Sequence, residues 1–141
     1  MDQPPEVDST AVSPTWTVAL ILRVFRPIML RVGVAAILEV PGRRTGRPQR
    51  VTVIPWEVAG TSYLLSRYGV TDWVRNLRAA GRGELRRKGR TWAFTGIEVD
   101  GDERARVIAA LRARSNKLFD KDFDQLPDAA DHPAFRMEPI G

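Results

Sequence analysis

The chain has 141 residues, 43% hydrophobic and 28% charged, which fits one soluble globular domain with its own core and excludes a disordered or fibrous chain. It has no cysteine, which excludes a disulfide framework and thiolate chemistry and suits a reducing cytoplasm. The formal net charge is +5, and only Lys88, Lys117 and Lys121 are lysines, so the basic excess is arginine. An arginine-rich genome explains that excess as well as a function does; the functional readings are an anionic ligand, nucleic acid or an anionic membrane surface.

Residues 1–12 carry Pro4, Pro5 and three acids and read as a disordered tail, too acidic for a secretory signal. Residues 13–141 read as a single domain. Ser13 and Pro14 suit a helix N-cap and first helical position. The apolar run Trp16 to Val32 follows, with Arg23, Arg26 and Arg31 on one arc of a helical wheel. Its uncharged stretches are too short to cross a bilayer, which needs about 20 apolar residues. Two readings stay open for this N-terminal helix. It packs on the core and kinks or ends near Pro27, or it rests as an interfacial helix on anionic lipid.

Val34 to Val40 reads as a first strand. Pro41-Gly42-Arg43-Arg44-Thr45-Gly46-Arg47-Pro48-Gln49-Arg50 then places four arginines on a tight turn. The nearest acids in sequence are Glu39 and Glu57, so the four guanidiniums are expected to take an anion or stay solvated. Val51 to Val58 is β-branched and aromatic and is expected to form a hairpin with Thr61 to Ser66 across Ala59-Gly60, with Pro55 at a bulge or edge. Thr71 or Asp72 can cap a helix that runs to about Ala80 and stops at Gly81. Its apolar side holds Trp73, Val74, Leu77 and Ala80, with Asn76 nearby.

Glu84 to Lys88 and Thr91 to Val99 predict a second hairpin around Gly89. A helix with Val107, Ile108 and Leu111 on one face follows Asp100-Gly101-Asp102, and Ala134 to Ile140 predicts a final strand. Helices dispersed among short antiparallel strands predict an α+β fold, a small closed or split β-barrel with an N-terminal helix and helices packed around it.

No triad or zinc spacing is present. The lone His132, before Pro133, is expected at the surface. Asp120, Asp122, Asp124, Asp128 and Asp131 follow the ligand spacing of an EF-hand loop, but Gln125 stands where that loop needs glycine, and a solvated acidic loop is the expectation. The arginine turn is the strongest site signal. A second loop, Ser66-Arg67-Tyr68-Gly69-Val70-Thr71, leads into a helix N-terminus, where free N–H groups favour an anion. Neither loop is a Walker motif or a GxGxxG fingerprint.

Together, Gly42-Arg43-Arg44-Thr45-Gly46-Arg47-Pro48-Gln49-Arg50, Ser66-Arg67-Tyr68-Gly69 and Trp73-Val74-Arg75-Asn76-Leu77 resemble the deazaflavin-dependent nitroreductase family, actinobacterial flavin/deazaflavin oxidoreductases of split β-barrel fold. The resemblance covers about residues 35–100. It implies coenzyme F-420, a deazaflavin with a phosphate and an oligoglutamate tail. Arg43, Arg44, Thr45, Gly46, Arg47 and Arg50 would hold the phosphate and tail. Ser66, Arg67, Tyr68, Gly69 and Val70 would line the phosphate and deazaflavin pocket. Val53 and Ile54 would lie beside the ring, and Trp73 and Asn76 would support that wall.

The implied reaction is hydride transfer from the reduced deazaflavin to a quinone, nitro compound or activated alkene. No catalytic side chain and no metal carries over, since the cofactor supplies the reactivity. The resemblance also implies pairing with a second copy. The alternatives are the same barrel with FMN, which has no glutamate tail for the arginines, and a basic binding module that carries cofactor or holds nucleic acid. Nucleic-acid stacking asks for exposed aromatics; Trp56, Tyr63, Trp73 and Trp92 fall inside predicted elements, so nucleic acid is not expected.

Overall fold

The computed structural model describes residues 27–28, 33–115 and 125–140. The expected helix from Trp16 to Val32 therefore lies outside the described residues, apart from Pro27 and Ile28. So do Asp120, Asp122 and Asp124 of the acidic loop.

Seven strands and two helices make up the described fold: β1 (Ala36–Pro41), β2 (Pro48–Val53), β3 (Trp56–Val58), β4 (Thr61–Leu65), α1 (Asp72–Ala80), β5 (Arg82–Arg87), β6 (Arg90–Val99), α2 (Gly101–Ser115) and β7 (Ala134–Pro139). A 3₁₀ turn spans Ala129–Asp131. All strand pairs are antiparallel, in the order β2-β1-β5-β6-β7-β4-β3.

That order explains the curl of the sheet. The edge strands β2 and β3 are consecutive in the chain, separated by Ile54 and Pro55 alone. Three Cα steps, Val53 to Trp56, span at most about 11 Å. The two edges of a seven-stranded sheet must therefore meet, and the sheet curls into a split barrel. The expected continuous strand from Val51 to Val58 is corrected here. Its first half pairs with β1, Leu38 opposite Val51, and its second half pairs with β4, Trp56 opposite Tyr63. Pro55 has no N–H to give a ladder, so the run breaks there.

Strand alternation sorts the core into two layers. On the inner face Ala36, Leu38, Val40, Leu64, Leu85, Phe94, Phe135 and Met137 pack with Val74 and Leu77 of α1. On the outer face Tyr63, Leu65, Val99 and Ala134 pack with Val107 and Leu111 of α2. Gly96 lets α1 settle on the sheet, because a Cβ there would lie 3.0–3.3 Å from three carbons of the Leu77 side chain.

The short turns follow their local chemistry. Ala59-Gly60 and Lys88-Gly89 both take positive φ, as tight two-residue hairpins require. Gly81 ends α1 in the left-handed conformation at φ 69°, its N–H on the Leu77 carbonyl at 2.7 Å. Arg78 and Glu98 tether α1 to β6 through two bonds of 2.7 Å.

Candidate functional site

The arginine turn, residues 42–47, joins β1 to β2. It closes on itself through Gly42 N–H to the Arg47 carbonyl and Gly46 N–H to the Gly42 carbonyl, each 2.8 Å. Gly46 adopts φ 73°, and the Thr45 hydroxyl accepts the Arg47 N–H at 3.2 Å.

Two of the four arginines are already engaged, which corrects the expectation that neighbours leave all four unpaired. Arg50 pairs with Glu39 at 2.8 Å, its direct cross-strand neighbour. Arg43 folds onto α1. Its backbone N–H and its guanidinium both donate to the Asn76 side-chain carbonyl, at 3.1 and 2.8 Å, and the guanidinium pairs with Asp72 at 3.3 Å. Asp72 lies 29 residues away in sequence, so the fold supplies an acid that proximity along the chain did not reveal. Arg44 and Arg47 stay exposed, with no ion pair among the described residues.

Arg43 thus ties the turn to the helix that the second loop enters. In that loop Ser66 is 2% exposed and its hydroxyl donates to the Gly69 carbonyl. Gly69 takes φ 86°, and its carbonyl also accepts the Thr71 N–H at 3.1 Å. Arg67 lies 4.9 Å above the Tyr68 ring, a cation–π contact. Thr71 is the N-cap of α1 but makes no side-chain capping bond, and its enclosed hydroxyl has no partner among the described residues. The Arg75 N–H bonds the Thr71 carbonyl at 3.1 Å, while those of Asp72, Trp73 and Val74 have no intrahelical acceptor and, among the described residues, no side-chain cap from Thr71.

The remaining expected residues flank this region. Val53 and Val70 pack against the inner core, as does Trp73, whose ring lies 6.0 Å from that of Phe135. Ile54 occupies the seam between β2 and β3. Asn76 is 5% exposed, one turn beyond Trp73. Tyr63 is buried in the outer core, and Trp56 and Trp92 are partly buried against the two cores.

Sequence reasoning missed two polar arrangements. His132 is fully buried, not a surface residue: Nδ1 lies 3.0 Å from the Ser66 carbonyl and Nε2 2.6 Å from that of Leu126. Two carbonyl partners make its burial tolerable. The other arrangement is on the outer face. The Tyr63 hydroxyl donates to Glu103 at 2.7 Å, and Arg136 donates to both Glu103 oxygens at 2.9 Å. The Tyr63 bond, then Arg136, hold the Glu103 carboxyl below its usual range. Burial, then the bond to Glu103, raise the Tyr63 phenol. This group lines a cavity of about 300 Å³ with Val58, Thr61 and Arg106, apart from the arginine turn. Only hydrophobic positions in α2 and a strand pattern in β7 hinted at it. Among the described residues no three His, Cys, Asp or Glu side chains are grouped to hold a metal ion.

A family model, that of the F420H2-dependent quinone reductase, matches residues 26–124. No curated protein matches the chain. Among solved structures, one described as an F420-H2 dependent reductase (FDR-A) is 17% identical, with 74% of this chain and 94% of that one covered at a TM-score of 0.59. One described as a domain-swapped dimer is 17% identical, with 85% and 98% covered at 0.56. The haem storage protein HutZ of Vibrio cholerae is 17% identical, with 88% and 91% covered at 0.60. At such identities these likenesses establish the split-barrel fold, which carries more than one function.

Proposed function

The chain belongs to the F420H2-dependent quinone reductase family, and from that membership we propose that the arginine turn and the Ser66–Thr71 loop together seat the anionic end of the cofactor. The protein is an enzyme, a reductase whose cofactor is F-420. The observation that carries the seat is the contact of Arg43 with Asn76 and Asp72, which brings the turn to the N-terminus of α1.

The residues suit the ligand. Arg44 and Arg47 are exposed and, among the described residues, form no ion pair, so they offer two cations to a phosphate or a glutamate tail. Beside them, α1 offers uncapped N–H groups and the enclosed Thr71 hydroxyl. Arg43 fastens the turn, Thr45 and Gly46 shape it, and Arg50 stands at the edge of the seat in its pair with Glu39. Arg67, Tyr68, Gly69 and Val70 line the loop side, and Ser66 holds its shape. Val53 and Ile54 give the ring an apolar wall, backed by Trp73 and Asn76. FMN has a phosphate but no glutamate tail, and would leave much of the arginine turn without a partner.

When bound, the reduced deazaflavin supplies the hydride. The chain's own residues bind, orient and exclude water, and no side chain is assigned a proton transfer. The acceptor we favour is a quinone, the class in the family's description, ahead of nitro compounds and activated alkenes. Quinones are lipid-soluble, which supports a cytoplasmic enzyme that touches the membrane through residues 13–32. No helix among the described residues is long and apolar enough to cross a membrane. Pairing with a second copy is supported by the domain-swapped structural relative. The packed aromatics argue against a nucleic-acid groove.

The test titrates the purified protein with F-420 and with FMN by fluorescence, then adds menadione to the complex with reduced F-420. Saturable F-420 binding with reoxidation is expected. Absence of F-420 binding overturns the proposal, and binding without reoxidation converts the enzyme to a carrier.

A further inference from the structure

Ser66 is tied at all three of its polar groups. Its N–H donates to the Pro133 carbonyl at 2.8 Å, its carbonyl faces His132 Nδ1 at 3.0 Å, and its hydroxyl donates to the Gly69 carbonyl. Two of these ties come from the His132-Pro133 pair, 66 residues away. The third passes the position of Ser66 on to Gly69, whose carbonyl also holds the Thr71 N–H at the N-cap of α1. A continuous path of hydrogen bonds therefore runs from His132 through Ser66 and Gly69 to the uncapped end of α1.

His132 is well placed to set that path. It is fully buried, its ring fixed at the far side by the Leu126 carbonyl at 2.6 Å from Nε2. Its backbone is fixed as well, since its N–H donates to the Ala129 carbonyl at 3.0 Å and Pro133 follows. A carbonyl oxygen only accepts, so each ring nitrogen bonds its carbonyl only when it carries a proton; the tie to Ser66 holds in the form protonated at Nδ1, and the contact with Leu126 calls for one on Nε2 in the same way. Gly69, at φ 86°, holds a conformation that side-chain-bearing residues rarely take, so the loop depends on ties of this kind.

We propose that His132 is a positioning residue for the cofactor seat, holding the Ser66–Thr71 loop in its binding shape through the Ser66 carbonyl. It does not touch the ligand itself. The inference rests on the reading of that loop as part of the F-420 seat. It adds a residue that neither the arginine turn nor the loop motif contains.

Two substitutions separate the two ring nitrogens. His132→Asn keeps an amide donor where Nδ1 stood and loses the reach to Leu126. His132→Gln keeps one where Nε2 stood and loses Ser66. Each keeps a donor at one of the two ring contacts, and melting temperatures measured beside the affinities separate a general loss of stability from a loss at the loop. F-420 affinity is expected to stay within about threefold for His132→Asn and to fall tenfold or more for His132→Gln. Amide hydrogen exchange across residues 69–71, measured without cofactor, should quicken in His132→Gln only. Equal affinities and equal exchange in the two variants overturn the proposal.

Nitrogen NMR of the unmodified protein, which needs no variant to fold, is expected to show a proton on Nδ1; an unprotonated Nδ1 overturns the proposal. If the unmodified protein binds no F-420, the cofactor reading fails, while the exchange and NMR measurements still decide whether His132 sets the loop.

Discussion

Arg43 grips Asn76 twice, through its backbone N–H at 3.1 Å and its guanidinium at 2.8 Å. One amide oxygen, 5% exposed as a residue, thereby fixes both the main chain and the side chain of the arginine turn. Removing it leaves a backbone donor without its partner and loosens the turn. Asn76→Ala should cost about 1–3 kcal/mol, the range for losing such a partner. Denaturant unfolding measures the loss, and amide exchange of Arg43 should quicken with it.

Arg44 and Arg47 are the cations left for a ligand. Arg44→Ala combined with Arg47→Ala should weaken F-420 binding by about 2–4 kcal/mol, since a charge-assisted bond contributes about 1.5–3 and the two overlap. Arg50→Ala should weaken it less, because Glu39 already occupies that guanidinium. Fluorescence titration at two salt concentrations checks both statements. Equal losses for the pair and for Arg50 would move the tail along β2.

Gly96 is where α1 comes nearest the sheet. Gly96→Ala should destabilise by about 1–3 kcal/mol, as overpacking a filled core does, because the new methyl meets Leu77. The same substitution made beside Leu77→Ala should cost clearly less, since the obstructing atoms are gone. A double-mutant cycle by thermal denaturation reads the coupling directly.

Glu103 gives the outer face a pH signature. Its carboxyl is held below the ordinary value of 4.5 by Tyr63 and Arg136. A carboxyl lowered in the folded state adds stability that is complete above the unfolded value and lost as pH falls through the folded one. Glu103→Gln should therefore be less stable than the parent at pH 7, and the gap should close on acidification below 4.5. Tyr63 behaves in the opposite sense. Its phenol is raised above 10.0, so its contribution holds below that value and is lost as pH rises through the folded one. Unfolding curves over both ranges check the signs.

Local features were legible from residue types. Gly81 stops α1, and Lys88-Gly89 and Ala59-Gly60 turn their hairpins, because each is decided within a few residues. The split at Pro55 was visible only as an anomaly. Both halves of residues 51–58 are β-branched and apolar, and nothing in them names a partner strand. Arg43 meets Asn76 across 33 positions and His132 meets Ser66 across 66. Neither distance leaves a periodic trace. His132 is the instructive case: two of its ring contacts are to backbone carbonyls, which every residue has, so those contacts leave no mark in the pattern of side chains. The two anion-friendly loops were legible as chemistry, and their meeting at one helix end became visible only once Arg43 was seen to cross to α1.

The barrel's seam is chain, not ladder. β2 and β3 face each other across Ile54-Pro55 without pairing, so that side is stitched by three peptide units where every other junction is a row of hydrogen bonds. A stitched seam can gape at its unstitched end while all six strand pairings stay intact. Ile54, expected beside the cofactor ring, stands at the stitch itself. On the proposed placement of the cofactor ring beside Ile54, the spacing of β2 and β3 there is set by two residues, one of them a proline, and not by the whole sheet.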